Sequence, residues 1–201
     1  MSDRSLHVLM VVGSLAKQSA TRVVMSRVSV DLQRAGVRVD TLDLSMEPLD
    51  LLNPEKSRET VEHIQLKERV DRADVLILGT PDYHGSMSGA LKNFLDHFWT
   101  EFAGKLFVPL VASHEKGLTV ADQIRTVARQ CYAWALPYAV SFADREDVKD
   151  GQITGDALTK RLEMLVRDVR VYGALLSSQR ASDLAGTEAG FMARYRPKSR
   201  A

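Results

Sequence analysis

Five short apolar segments, separated by amphipathic helical patterns, predict an α/β fold: an open, parallel, doubly wound sheet with helices on both faces. Two observations carry this expectation. Leu6–Val12, interrupted only by His7, and Val75–Thr80 are continuous and largely aliphatic, as strands covered on both faces must be. The segments between strands repeat apolar residues at steps of three and four, the period of a helix with one buried face.

In chain order, the first strand is Leu6–Val12. Residues 19–35 follow as a helix with Ala20, Val24, Val28, Leu32 and Ala35 on one face. The alternation in Val37–Leu44 reads as an edge strand. Residues 58–72 form a helix with a weaker pattern, and Val75–Thr80 is the third strand. Residues 87–102 form the third helix, with Met87, Leu91, Phe94 and Phe98 inward. Leu106–Ala112 is the fourth strand, and its Pro109 calls for a strand end or bulge. Residues 118–135 place Val120, Ile124, Val127, Cys131 and Trp134 on one stripe, with Thr119 and Asp122 as a capping box. Pro137–Phe142 is the fifth strand. Residues 156–178 form the last helix, capped by Asp156. The expected domain is residues 1–180. Residues 181–201 lack a period and carry Arg194, Arg196, Lys198 and Arg200, which suggests a basic C-terminal tail, solvated or laid on a partner subunit.

Composition narrows the function. Over 201 residues, 27 Lys and Arg against 26 Asp and Glu give a net charge of +1. That is less basic than a protein that wraps nucleic acid. No apolar run reaches the length of a membrane span, and the N-terminus lacks a convincing signal-peptide pattern. The single cysteine, Cys131, excludes an intramolecular disulfide or a cysteine-rich metal site and fits a reduced, cytoplasmic setting.

Ligands of doubly wound sheets sit beyond the carboxyl ends of the strands. The first loop there runs from Gly13 to Arg22. It has neither a nucleotide P-loop nor a dinucleotide fingerprint. It does offer Ser14, Ser19 and Thr21 at a helix N-terminus, where free N–H groups favour a phosphate. No acid occurs from Arg4 through Val30, while Lys17 and Arg22 flank the turn. Two such cations oppose the helix dipole by roughly 0.3–1 kcal/mol each, a penalty that a bound phosphate reverses.

The loop after the third strand reads Thr80-Pro81-Asp82-Tyr83-His84-Gly85-Ser86-Met87-Ser88-Gly89-Ala90-Leu91-Lys92-Asn93. Pro81 stiffens the strand exit, Gly85 permits close backbone approach, and Ser86 or Ser88 can cap the next helix. Tyr83 and His84 add rings with hydrogen-bonding atoms. Such a turn suits the edge of a flat heteroaromatic ligand.

Together these two loops resemble the NADPH-dependent FMN reductase family, with matching element order over about residues 6–178. The resemblance implies a flavodoxin-like, five-stranded parallel sheet of order 2-1-3-4-5, and an enzyme that binds FMN and takes hydride from NADPH or NADH onto flavin N5. By position it implies that Ser14, Ser19, Ala20 and Thr21 hold the FMN phosphate. Pro81, Asp82, Tyr83, His84, Gly85 and Ser86 would line the ring. Ser113, Glu115, Lys116 and Gly117 would close its other side. Many relatives carry arginine where Ala16 stands, so the phosphate charge falls to Lys17 or Arg22. Many carry asparagine at the place of His84, which makes His84 a candidate modulator of the redox step. Lys116 is the candidate cation for reduced flavin.

The flavin supplies the chemistry in such a site, so no protein nucleophile or base is expected. The resemblance also implies homodimers or homotetramers, with a flavin-dependent monooxygenase as a possible recipient of released reduced flavin. Two alternatives are a reductase of quinones, azo dyes or chromate, and an electron carrier, which the balanced charge disfavours. No metal is expected, since Asp96-His97 and His114-Glu115 lack a third ligand. His7 reads as a satisfied core residue and His63 as an exposed helical one. Trp99, adjacent to Phe98, cannot share its buried face and suggests a subunit interface.

Overall fold

The computed structural model describes residues 5–197. Strand β1 (His7–Val12) leads through α1 (Ala20–Arg34) to β2 (Arg38–Asp43), and α2 (Val61–Arg72) leads to β3 (Val75–Tyr83). A two-residue strand, β4 (Ser86–Met87), folds back on β3 before α3 (Gly89–Asp96) and β5 (Leu106–Ala112). Next come α4 (Leu118–Gln130) and two short strands, β6 (Trp134–Ala135) and β7 (Val140–Phe142). A small hairpin of β8 (Val148–Lys149) and β9 (Gln152–Ile153) precedes α5 (Asp156–Ala185).

The parallel sheet runs β2-β1-β3-β5, with β6 and β7 both on the outer side of β5. In principal strands this is the expected order 2-1-3-4-5. Alternation along β1 explains the layering. Val8, Met10 and Val12 face α1 and α5, where Val24, Val28, Leu32, Leu162 and Leu165 are buried. Leu9 and Val11 face the opposite layer of α2, α3 and α4, with Leu66, Val70, Phe94 and Ile124. Each such side chain stabilises the fold by roughly 1.5–3 kcal/mol when fully buried.

The fifth strand expected at Pro137–Phe142 is instead split into β6 and β7, and Pro109 explains the break. In a strand, N–H and C=O of one residue point the same way, and successive residues alternate. Trp134 and Leu136 donate to the carbonyls of Lys105 and Phe107, while Ser113 N–H donates outward to Phe142. Pro109 therefore faces the outer strand with no N–H to give, opposite the interruption between β6 and β7.

Other expectations are corrected. The third helix spans only Gly89–Asp96, followed by a 3₁₀ turn at Thr100–Phe102. The fourth helix stops at Gln130, and its N-cap is Gly117 with no side-chain bond, so Thr119 and Asp122 form no capping box. Asp122 pairs with Arg125 instead. The last helix begins after Gly155 rather than on an Asp156 cap. It also runs through residue 180 to Ala185, and beyond it Met192 is buried in a 3₁₀ turn. Within 181–197 the first residues continue α5 and Met192 is buried, while most of the others are exposed; Lys198 and Arg200 lie outside the described residues. His63 is buried, not exposed, with its ring stacked on Phe98.

Candidate functional site

Three loops meet at the carboxyl end of the sheet: those after β1, β3 and β5. In the first, Ser19 is the N-cap of α1, its hydroxyl accepting from Arg22 N–H at 3.2 Å. Ser14 and Thr21 are buried behind the turn, whereas Lys17 is exposed on it. Arg22 does not stand free beside them. Its guanidinium donates to Asp43 Oδ2 (2.5 Å), to Ser45 Oγ (2.7 Å), and to the carbonyls of Ala16 (2.9 Å), Ser14 (3.2 Å) and Lys17 (3.3 Å). Burial opposes the Asp43 charge, but hydrogen bonds from Arg22 and Ser45 outweigh it and hold this carboxyl below the ordinary carboxylate range. Of the two cations considered for a phosphate, only Lys17 is left on the outer face of the turn.

The second loop is a tight hairpin. Tyr83 pairs with Ser86, and the two residues between them, His84 (φ 57°) and Gly85 (φ 77°), are both left-handed. Two consecutive positive φ values define the type I′ turn, which favours Asn-Gly; His84 occupies the asparagine place. Asp82 Oδ1 accepts from Gly85 N–H at 2.8 Å. From α4, Gln123 grips the same turn: its Oε1 accepts from Ser86 Oγ (3.0 Å) and Met87 N–H (3.2 Å), and its Nε2 donates to Gly85 C=O (3.2 Å).

The third loop follows β5. Ser113 Oγ donates to Asp82 Oδ2 at 2.9 Å and accepts from Glu115 N–H. Lys116 and Gly117 are both left-handed and turn the chain into α4. A Cβ on Gly117 would stand 2.6 Å from Val111 Cγ1, so only glycine fits there. The base of the site is tied as well: Gly13 N–H donates to Gly79 C=O (2.7 Å), and Ser88 Oγ donates to Gly13 C=O (2.7 Å) and caps α3.

These ties leave two concavities. Asp82, His84, Gly85, Ser113 and Glu115 line a cavity of about 540 Å³, together with His114, Leu118 and Thr119. Lys17, Ser19, Ala20 and Arg22 line a groove of about 1110 Å³ between α1 and the β8–β9 hairpin, where Asp144, Arg145, Lys149 and Asp150 line the other side. Of the remaining expected residues, Pro81 is half-buried at the strand end, Tyr83 is 54% exposed, and the Ser86 hydroxyl is committed to Gln123. Lys116 is exposed and Gly117 buried at the corner. Sequence reasoning missed Gln123, Thr119, Leu118 and the Arg22–Asp43 pair. One weak signal existed for Gln123: a polar residue directly beside the buried Ile124 in the middle of a helix.

The donor set fits a flavin mononucleotide. The first turns of α1, α3 and α4 carry no acid, whereas those of α2 and α5 carry Glu62 and Asp156. Hydroxyls and N–H groups surround the first turn; Asp43 is neutralised by Arg22, and the groove's other carboxylates, Asp144 and Asp150, stand with Arg145 and Lys149. A second cavity of ring size, at the loops after β3 and β5, is lined by polar residues that include Asp82, His84, Ser113, Glu115 and Thr119.

An anion-accepting turn and a ring-sized cavity at one end of a 2-1-3-4-5 sheet define a flavodoxin-like protein. The chain belongs to the NADPH-dependent FMN reductase family, whose model matches residues 6–147, and it is an NAD(P)H-dependent flavin oxidoreductase. An FMN-dependent NADPH-azoreductase of Staphylococcus aureus (strain USA300) is 29% identical over 150 residues, 71% of this chain and 79% of that protein. Among solved structures, an apo NADH:FMN oxidoreductase (EMOB) aligns with TM-score 0.70 at 20% identity, covering 84% of this chain and 90% of that one. FerB of Paracoccus denitrificans, a flavoenzyme NAD(P)H:(acceptor) oxidoreductase, aligns with TM-score 0.66 at 19% identity, covering 86% and 98%.

Proposed function

We propose that the protein holds FMN between the three cross-tied loops and uses it to carry electrons from NADPH or NADH to a small acceptor. Ser14, Lys17, Ser19, Ala20 and Thr21 hold the phosphate. Pro81, Asp82, Tyr83, His84, Gly85 and Ser86 hold one side of the ring, and Ser113, Glu115, Lys116 and Gly117 hold the other. The observation that carries this reading is the joining of the second and third loops by Asp82 and Gln123 around one cavity. Bound FMN supplies the chemistry, accepting hydride from the nicotinamide and releasing it to the acceptor. The protein orients: Asp82 and Gln123 fix the ring turn, and Gln123 holds the Gly85 carbonyl. Lys116 offers a cation at the ring's far side.

An open ring face suits broad acceptor use. The azoreductase named above supports azo compounds, with quinones and chromate as further acceptors; a flavin-dependent monooxygenase is the partner if reduced FMN is released. The reading includes a cytoplasmic location and self-association through Trp99, which is 61% exposed just before the 3₁₀ turn that follows α3. The visible spectrum of the purified protein, followed by NADPH titration, tests the proposal. A yellow protein that bleaches supports a resident flavin. A colourless one that oxidises NADPH only with added FMN supports flavin as substrate. No FMN binding and no NADPH oxidation overturns it, and oxidation only with an added protein partner supports an electron carrier.

A further inference from the structure

We propose that Arg22 makes the first loop phosphate-selective without touching the phosphate: it is a positioning residue that pulls the loop's carbonyls to one side and thereby aims its N–H groups to the other. The inference rests on the reading of this loop as the FMN phosphate site.

In a trans peptide the C=O of one residue and the N–H of the next point in opposite directions. Arg22 draws in the carbonyls of Ser14, Ala16 and Lys17. The N–H groups of Leu15, Lys17 and Gln18 are therefore directed away from the guanidinium. None of these three donates to a protein acceptor among the described residues. Successive free N–H groups on one side of a turn are the donors of anion-binding concavities.

Arg22 reaches the edge of the groove, but each of its side-chain nitrogens already donates within the protein. Its Nε donates to Asp43 Oδ2, and its Nη2 to Asp43 Oδ1 (3.2 Å) and Ser45 Oγ. Ser45 is in turn fixed by donating to Asp43 Oδ1 at 2.7 Å. With its donors directed to β2 and the loop carbonyls, and its charge balanced by Asp43, the guanidinium acts as a clasp. Lysine cannot replace it, because an ammonium is a single donor centre and cannot span a carboxylate and three separated carbonyls.

The test compares the affinities of FMN and riboflavin, which share the ring and differ in the phosphate, by fluorescence quenching. Wild type, Arg22→Ala, Arg22→Lys and Asp43→Asn are measured. The expected result is that Arg22→Ala weakens FMN about tenfold or more, the scale of one charge-assisted hydrogen bond, with riboflavin changed less than about twofold. Arg22→Lys fails to restore FMN affinity, and Asp43→Asn lowers it. If Arg22 is instead a direct charge for the phosphate, Arg22→Lys restores binding and Asp43→Asn, by unmasking the guanidinium, strengthens it; either result overturns the proposal. Equal loss for both ligands overturns it too, as a general stability effect. A wild type that binds riboflavin as tightly as FMN removes the phosphate reading of the loop and the proposal with it. A wild type that binds neither ligand points instead to failure of the flavin-site reading as a whole.

Discussion

His63 Nδ1 lies 3.2 Å from His97 Nδ1. A hydrogen bond there needs one ring to donate and the other to accept, so the pair cannot both be charged. Burial first, then His97, lowers the His63 pKa below its ordinary 6.5. The unfolded chain thus takes up a proton near pH 6.5 that the folded chain refuses, and stability present above that pH is lost as the pH falls. Thermal unfolding from pH 7 down to pH 5 is expected to show a falling midpoint, and His63→Asn is expected to flatten the fall.

Lys105 carries a second pH dependence. Its ammonium is buried at the end of α2, donating to the carbonyls of Val70 and Asp71. Burial, followed by repulsion from Arg180, lowers its pKa from 10.5 to about 7. Between those values the folded state holds fewer protons than the unfolded one, so stability rises with pH. In urea unfolding, the stability of wild type relative to Lys105→Met is expected to increase from pH 7 to pH 9.

The ring turn is conformationally demanding. His84→Asn places a residue better suited to φ 57° and is expected to stabilise the protein by up to about 1 kcal/mol. The same variant tests the proposed redox role: the pH profile of NADPH oxidation shifts if the imidazole modulates the flavin, and an unchanged profile removes that role.

Gly117→Ala forces a Cβ to within 2.6 Å of Val111 Cγ1 at φ 59°. Val111 is fully buried and cannot yield. The expected loss is about 1–3 kcal/mol, read by urea unfolding, together with weaker FMN binding because the third loop shifts.

Gln123→Ala removes three hydrogen bonds from the ring turn. A loss of about 1–3 kcal/mol in stability follows. In a double-mutant cycle on FMN affinity, Gln123→Ala and Asp82→Asn are expected to be non-additive, since both hold Gly85.

What could be read in the sequence was local and periodic. β1 and β3 announced themselves as apolar runs, broken only by His7, and the cap of α3 was narrowed to Ser86 or Ser88, of which the structure uses Ser88. The turn at His84 and Gly85 was legible because its own residues are adjacent in the chain, whereas Gln123, which grips it from α4, was not. Misreadings arose where a partner far along the chain decides. Arg22 looked like a free cation because Asp43, 21 residues on, was not visible as its partner. His63 looked exposed although it shares the buried spacing of Leu66 and Val70, because His97 and Phe98, which cover it, lie far along the chain. Pro109 raised a question, but its answer, a broken neighbour, required knowing which strand lay outside. The β8–β9 hairpin has strands of two residues, too short to show any period.

The broken outer strand has a consequence for the solubility of the molecule. Since Phe142 C=O turns inward to Ser113, the carbonyls of Ala139 and Ser141 turn outward, and Arg161 from α5 donates to both. Arg125 likewise donates to the carbonyl of Pro137. The border of the sheet that would otherwise invite a foreign β-strand is already occupied by the protein's own arginines and is interrupted midway. It offers no continuous template for edge-to-edge aggregation.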